Sequence, residues 1–329
     1  MPATSAALRD FCGTMRPMSS HYPIDPELQA LSGFNAPLGK ASAIAGQAVL
    51  GLLPKCIDRR TTAISTLTAT ASDGAEIRVY LLSPRDAAGE TLPCLLYLHG
   101  GAFLHKAIPT QYRLMEHYAL EARCRVAAVD YRLAPLHPYP TPVNDCLAGL
   151  RYVLEHAGEL EIDPARMAIA GDSAGGSLTL DTWLAAKEQA DVGTVPFAGH
   201  VPQSLMLVYP VVDHRGLTTS VRKFTDTPIW DGRKNRYMWE LYLNGAEYTS
   251  PLQRAGEFAD LGCAFVEVEE FDCLHDEGAE MARALAEVGV AAELRDNPGT
   301  YHGFEFHEGA AITKASVAAR VDFLRRAFA

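Results

Sequence analysis

The spacing of apolar and polar positions predicts alternating strands and helices along most of the chain. "TAISTLTA" and "EIRVYLLS" alternate in strand fashion on either side of "SDG", which predicts an antiparallel hairpin. "CLLYLHG" is an unbroken apolar run, the pattern of a strand covered on both faces, and "RVAAVDYR" is a second. After them come a helix near Val143–Glu155, the strand "RMAIAGDS", a helix from Ala174 to about Gln189, and the strands "SLMLVYPVV" and "AFVEVEE". Helical spacing returns over Glu277–Val288, "AAELRD" reads as a further strand, and Ala311–Phe328 as a closing helix. Strand–helix alternation implies a largely parallel sheet with helices on both faces.

Two segments break the alternation. Residues 1–20 read as loosely ordered, and Asp25–Leu53 suggests one or two helices with small, apolar faces. The stretch Asp213–Leu252 is rich in aromatics and too long for a plain connection. Both segments are read as parts of a helical cap over the C-terminal ends of the strands, where α/β sheets bind ligands. The division expected is therefore N-terminal cap helices over 1–55 and a catalytic domain over 56–329, with a cap insertion at about 213–252. The plainer alternative is peripheral packing helices.

Composition narrows the function. The chain has 329 residues and 48% hydrophobic residues, enough for a large core, and a formal net charge of −11. That charge argues against a nucleic-acid partner, which needs clustered Lys and Arg; Arg59-Arg60, Arg233-Lys234 and Arg325-Arg326 are short pairs on solvated faces. The seven cysteines show no CxxC spacing, so neither a disulfide framework nor a metal site is expected. Met1–Ser20 has no apolar core of a signal peptide, and Ala41–Pro54 is too short to span a bilayer. A cytoplasmic protein without a membrane span is the expectation.

"AIAGDSAGGS" carries the chemistry. Gly171, Ser173 and Gly175 form G-x-S-x-G between an apolar strand and a helix, the context of a nucleophile elbow. The glycines relieve crowding at a sharp, strained turn, and the serine stands at a helix start. A serine needs a base, and in this chain order an acid and then a histidine follow the nucleophile. His302, in the Pro/Gly-rich loop "PGTYHGFE", is the candidate base, with His307 its main competitor; His275 shares a loop with the acids. Asp272, directly after the strand "AFVEVEE", is the candidate acid and Asp276 its alternative, although Asp276 and Glu277 look like start-of-helix acids. "CLLYLHGGAF" ends a buried strand about 70 residues earlier, where this fold supplies oxyanion donors. The donors expected are the N–H groups of Gly101 and Ala102, with that of Ala174. His99 is read as a support for this loop and Phe103 as a substrate-binding side chain. The aromatics Phe224, Trp230, Tyr237, Trp239 and Tyr242 suggest a pocket wall, although core packing suits several of them.

"HGGAF", "DYRLAPLHPYPTPVNDC", "GDSAGG", "FDCLHDEG" and "PGTYHGF" occur in this order. From about Ile77 onward the chain thereby resembles the hormone-sensitive-lipase-like family of α/β-hydrolase esterases, in its bacterial acetyl esterase and carboxylesterase branch. The resemblance implies an α/β-hydrolase fold with a mostly parallel eight-stranded sheet and a helical cap. It implies a Ser173–Asp272–His302 triad, an oxyanion hole from Gly101, Ala102 and Ala174, and no cofactor or metal. The function expected is a serine carboxylesterase acting on small, short-chain acyl esters; relatives often form homodimers. A non-catalytic small-molecule-binding member and an amidase or peptidase are the alternatives. Departures from the family pattern are Ala102 for a third glycine, Lys106 for a small residue, Leu136 for glutamate and Cys273 for the proline after the acid. These bear on substrate range more than on catalysis.

Overall fold

A computed structural model describes residues 20–35, 37–53 and 55–329. The expectation for residues 1–20 lies outside these except at Ser20. The strands are β1 (Thr62–Thr70), β2 (Glu76–Pro84), β3 (Leu92–Leu98), β4 (Arg125–Val129), β5 (Ile162–Asp172), β6 (Ser204–Val208), β7 (Cys263–Glu269) and β8 (Ala291–Asn297). They form one eight-stranded sheet in the order β1-β2-β4-β3-β5-β6-β7-β8. β1 and β2 pair antiparallel, as does β2 with β4; every pairing from β4 through β8 is parallel.

The unbroken apolar runs follow from burial on two faces. In β3, Leu96 and Leu98 join a core with Leu150, Leu178 and Trp183, while Leu95 and Tyr97 join another with Tyr118, Val321 and Leu324. Each such side chain removed from water contributes about 1.5–3 kcal/mol before entropy is counted. The first core lies under α3 (Thr141–Glu155) and α4 (Ala174–Asp191). The second lies under α2 (Pro109–Glu121) and α8 (Ala311–Ala327), the last two helices bracketing the same face.

Two elements differ from the sequence reading. β6 stops at Val208 rather than running on through Val212. Tyr209 takes φ +35°, and Pro210 has no N–H for a ladder. Helix α2 was not predicted. Its buried face is Gln111, Tyr112, Met115, Tyr118 and Ala119, correctly spaced but largely polar in letter code.

The two segments outside the alternation meet each other beside the strands' C-terminal ends. The N-terminal one holds a 3₁₀ turn, Pro26–Leu31, and α1 (Lys40–Gly51). The Asp213–Leu252 stretch holds α5 (Thr219–Lys223) and α6 (Gly232–Leu243), and a 3₁₀ turn begins at Pro251. Gln47 Nε2 donates to the carbonyls of Leu104 and Ala134, in the loops after β3 and β4. Asp25 N–H donates to Gly299 O, beyond β8. Tyr22 Oη donates to Asp226, and Asn35 Nδ2 to Thr227 O and Asp231.

β7 carries two fully buried carboxylates, Glu267 and Glu269. Burial alone would push Glu267 up, but Arg320 of α8, 2.5 Å away and equally buried, outweighs it and holds the carboxyl below its usual range. Burial, with Glu267 beside it, pushes Glu269 well up, and Thr300 donates to it.

Candidate active site

The turn from β5 into α4 sets Ser173 at φ +55°, ψ −120°, a strained conformation for a residue with a Cβ. The turn closes tightly. A Cβ on Gly175 would lie 1.9 Å from Leu98 O, and one on Gly171 2.2 Å from Gly175 O, so only glycine fits at either position. The loop after β7 carries Asp272, and the loop after β8 carries His302.

The three side chains come together and are buried. His302 Nδ1 is 2.6 Å from Asp272 Oδ2, and His302 Nε2 is 2.9 Å from Ser173 Oγ. An ionised carboxylate only accepts, so Nδ1 carries the proton and Nε2 is free to accept from the serine hydroxyl. Asp272 is fixed in turn: its Oδ1 accepts from Leu274 N–H at 3.0 Å.

The alternatives are engaged elsewhere. Asp276 accepts from Ser220 N–H and sits 2.9 Å from His275. Glu277 accepts from Val212 N–H, and both acids stand in the first turn of α7 (His275–Glu287). His307 Nε2 is 2.7 Å from the Tyr301 hydroxyl.

The loop after β3 turns its backbone toward Ser173. Gly101 takes φ +125°, a region open to glycine, and Ala102 takes φ +59°. Gly101 O accepts from the N–H groups of Leu104 and His105, so its carbonyl is turned into the loop. Among the described residues, the N–H groups of Gly101, Ala102 and Ala174 donate to no protein acceptor. Gly101, Ala102 and Ser173 line one cavity of about 190 Å³ with Trp230, His302 and Phe306.

His99 supports this loop as expected. Its Nδ1 donates to Gly100 O at 2.7 Å, its ring stacks on Tyr131, and burial pushes its pKa down. A stronger anchor went unread in the sequence. Asp172, beside Ser173, accepts from Tyr97 Oη at 2.7 Å, from Gly100 N–H at 3.0 Å and from Gln111 Nε2 at 2.8 Å. One carboxylate thus ties the β5–α4 turn, the loop after β3 and the start of α2 together. Its partners are 61 to 75 residues away in sequence, so no local motif announces them.

Phe103, read from the sequence as a substrate-binding side chain, is placed in the core. It is fully buried, stacks on Tyr242 at 3.7 Å between ring centroids, and lies outside the residues lining the cavity. Its φ is +59°. Of the aromatics named from sequence, Trp230 lines the cavity, while Phe224, Trp239 and Tyr242 are packed in the interior. Tyr209 is a lining residue the sequence did not reveal. Its ring lies 4.6 Å from that of His302 and its hydroxyl donates to buried Glu305.

Lys106 lines the cavity, but its charge is spent locally. Nζ lies 2.5 Å from Asp130 Oδ1 and donates to Tyr131 O. Leu136 is exposed. Among the described residues, no group of three or more His, Cys, Asp or Glu side chains is arranged to hold a metal ion. No helix among them is long and apolar enough to cross a membrane.

Comparison with known proteins gives a consistent picture. A family model described as α/β hydrolase fold matches residues 95–306. The chain is 34% identical over 261 residues to the carboxylesterase NlhH of Mycobacterium tuberculosis, covering 77% of each protein. It is 32% identical over 253 residues to an ethyl acetate hydrolase of Pseudomonas putida, covering 73% of this chain and 75% of that one. Among solved structures, a bacterial heroin esterase superposes with a TM-score of 0.76 at 34% identity, over 93% of this chain and 98% of that one. Esterase LipW of Mycobacterium marinum superposes with a TM-score of 0.80 at 28% identity, over 94% and 98%.

Proposed function

We propose that this chain, which belongs to the hormone-sensitive-lipase-like family of α/β-hydrolase esterases and is a carboxylic ester hydrolase, works through Ser173, His302 and Asp272 on small esters of short acyl chains. The observation that carries the reading is the continuous relay from Asp272 Oδ2 to His302 at 2.6 Å and from His302 Nε2 to Ser173 Oγ at 2.9 Å.

His302 Nε2 takes the serine proton as Oγ attacks the ester carbonyl. The carbonyl oxygen becomes an oxyanion, received by the N–H groups of Gly101, Ala102 and Ala174. Each such donor contributes about 3 kcal/mol to barrier lowering. The tetrahedral species collapses, the C–O bond to the alcohol breaks, and the alkoxide leaves with the proton from His302. Water then gives its proton to His302 and attacks the acyl-serine, releasing the acid and restoring Ser173. Asp272 holds the ring orientation and favours the imidazolium that forms twice per cycle.

The cavity volume of about 190 Å³ supports small substrates, since sites for drug-sized ligands usually run from roughly 300 to 1,000 Å³. A non-catalytic binding module would gain nothing from holding Ser173 at φ +55° against a base. The test is turnover of p-nitrophenyl acetate and butyrate by the wild type and by Ser173→Ala. Loss of turnover with an unchanged circular dichroism spectrum is the expected outcome. Retained turnover in the variant would overturn the reading.

A further inference from the structure

Ile229 has φ +62°. A β-branched residue in the left-handed region is a true outlier, and it persists only when its surroundings impose it. Here two bonds do so. Ile229 N–H donates to Phe34 O at 2.7 Å, and Lys234 Nζ donates to Ile229 O at 2.6 Å. The side chain so held lines the active-site cavity.

Phe306 lines the same cavity and is 38% exposed, so burial in the core does not account for its place. Both residues flank the backbone next to the base. A Cβ built on Gly303 would lie 3.0 Å from Phe306 Cε2 and 3.6 Å from Ile229 Cδ1. Glycine at 303, with φ +73°, leaves room for both.

The chemistry decides which half of an ester this wall faces. The departing alkoxide must take its proton from His302 Nε2, so the alcohol leaves on the imidazole side of Ser173. Gly303 adjoins His302, whereas Lys106, Ile108 and Gln111 line the cavity from the oxyanion-loop side.

We propose that Ile229 and Phe306 form an apolar brace beside His302 that limits the size of the alcohol moiety, making the enzyme selective for esters of small alcohols. This rests on the assignment of Ser173 and His302 above. The strain at Ile229 is then the means by which a side chain is aimed into the cavity.

Two ester series separate the halves of the substrate. One is acetates of ethanol, butanol, hexanol and benzyl alcohol; the other is ethyl esters from acetate to octanoate, both followed by pH-stat. In Ile229→Gly and Phe306→Ala, the ratio of kcat/KM for hexyl acetate to that for ethyl acetate rises about tenfold or more, the effect of one or two methylenes in an apolar pocket. The ratio of ethyl octanoate to ethyl acetate moves far less. Ile229→Val, which removes only Cδ1, and Phe306→Leu shift the alcohol ratio in the same direction but by less. Ile229→Gly relieves the positive-φ strain but loses the packing of a half-buried side chain, so the ratios are compared at a temperature where circular dichroism shows each variant folded. An unchanged alcohol ratio, or an equal shift in both series, overturns the proposal while wild-type turnover persists. Absence of turnover of both series by the wild type overturns the Ser173 assignment, and this proposal with it.

Discussion

Replacing Asp172 by asparagine tests the structural basis of the oxyanion loop. The carboxylate accepts from Tyr97 and Gly100 on Oδ1 and from Gln111 on Oδ2. In the variant the carbonyl oxygen can keep the first two bonds, but without charge assistance. The new amide nitrogen then faces Gln111 Nε2, donor against donor. If Gln111 flips to present its oxygen, it gives up the bond that oxygen accepts from Ile108 N–H at 2.9 Å, at the start of α2. Either way one bond is lost and two are weakened. A hydrogen bond to a charged group contributes about 1.5–3 kcal/mol and a neutral one about 0.5–1.5, so Asp172→Asn costs about 3–5 kcal/mol. Guanidinium denaturation reads that loss. Activity toward p-nitrophenyl acetate falls about 10–100-fold as Gly101 drifts, short of the loss expected when an oxyanion donor is removed outright. The double variant D172N/Q111E is the decisive arm. A glutamate at 111 accepts both from the new amide and from Ile108 N–H, restoring the donor–acceptor order at the same net charge. It recovers most of the stability and activity. A cost below about 1 kcal/mol for the single variant, or a double variant no better than the single, would refute the reasoning.

Two further outcomes follow from individual positions. Ala102 holds φ +59°, so Ala102→Gly relieves a strain of about 1–2 kcal/mol but adds about 0.5–1 kcal/mol of unfolded-chain entropy. The denaturation midpoint rises slightly, and kcat stays within about threefold because the backbone donor is unchanged; a tenfold fall in kcat would contradict its role as a bare N–H. Asp181, buried on α4 and bonded to Tyr248 Oη at 2.8 Å, has its carboxyl pushed by burial from an ordinary 3.8 up to about 7. The folded state therefore binds a proton that the unfolded state has released, and Asp181 lowers stability progressively between about pH 4 and 7, by about 4 kcal/mol at most. Asp181→Asn matches the wild type near pH 4 and is the more stable protein at pH 8; equal pH slopes in the two proteins would sink this.

The fold was legible where burial follows letter code. The eight strands emerge from apolar runs and alternation, and the order of Ser173, Asp272 and His302 pointed to the loops that converge. Legibility failed where polar residues are buried or side chains are turned. Helix α2 puts Gln111 and Tyr118 on its inner face, where their polar ends meet Asp172 and Arg320 rather than water. The glutamates of β7 are charged in letter code yet lie buried beneath α8, where a single arginine offsets Glu267. Phe103 stacks on Tyr242 in the core, a contact across 139 residues of sequence that no local pattern shows. Asp172 and Ile229 matter through partners far along the chain, which no spacing rule encodes.

The account stands or falls on Ser173 as the atom that carries the acyl group. Incubation with a fluorophosphonate, followed by digestion and mass spectrometry, measures this directly. The account predicts one stoichiometric adduct on the peptide containing Ser173, slowed by prior incubation with a small ester and absent in Ser173→Ala, with esterase activity lost in step with labelling. A wild-type protein that hydrolyses esters while Ser173 stays unlabelled, or an adduct on another residue that tracks the loss of activity, would contradict it.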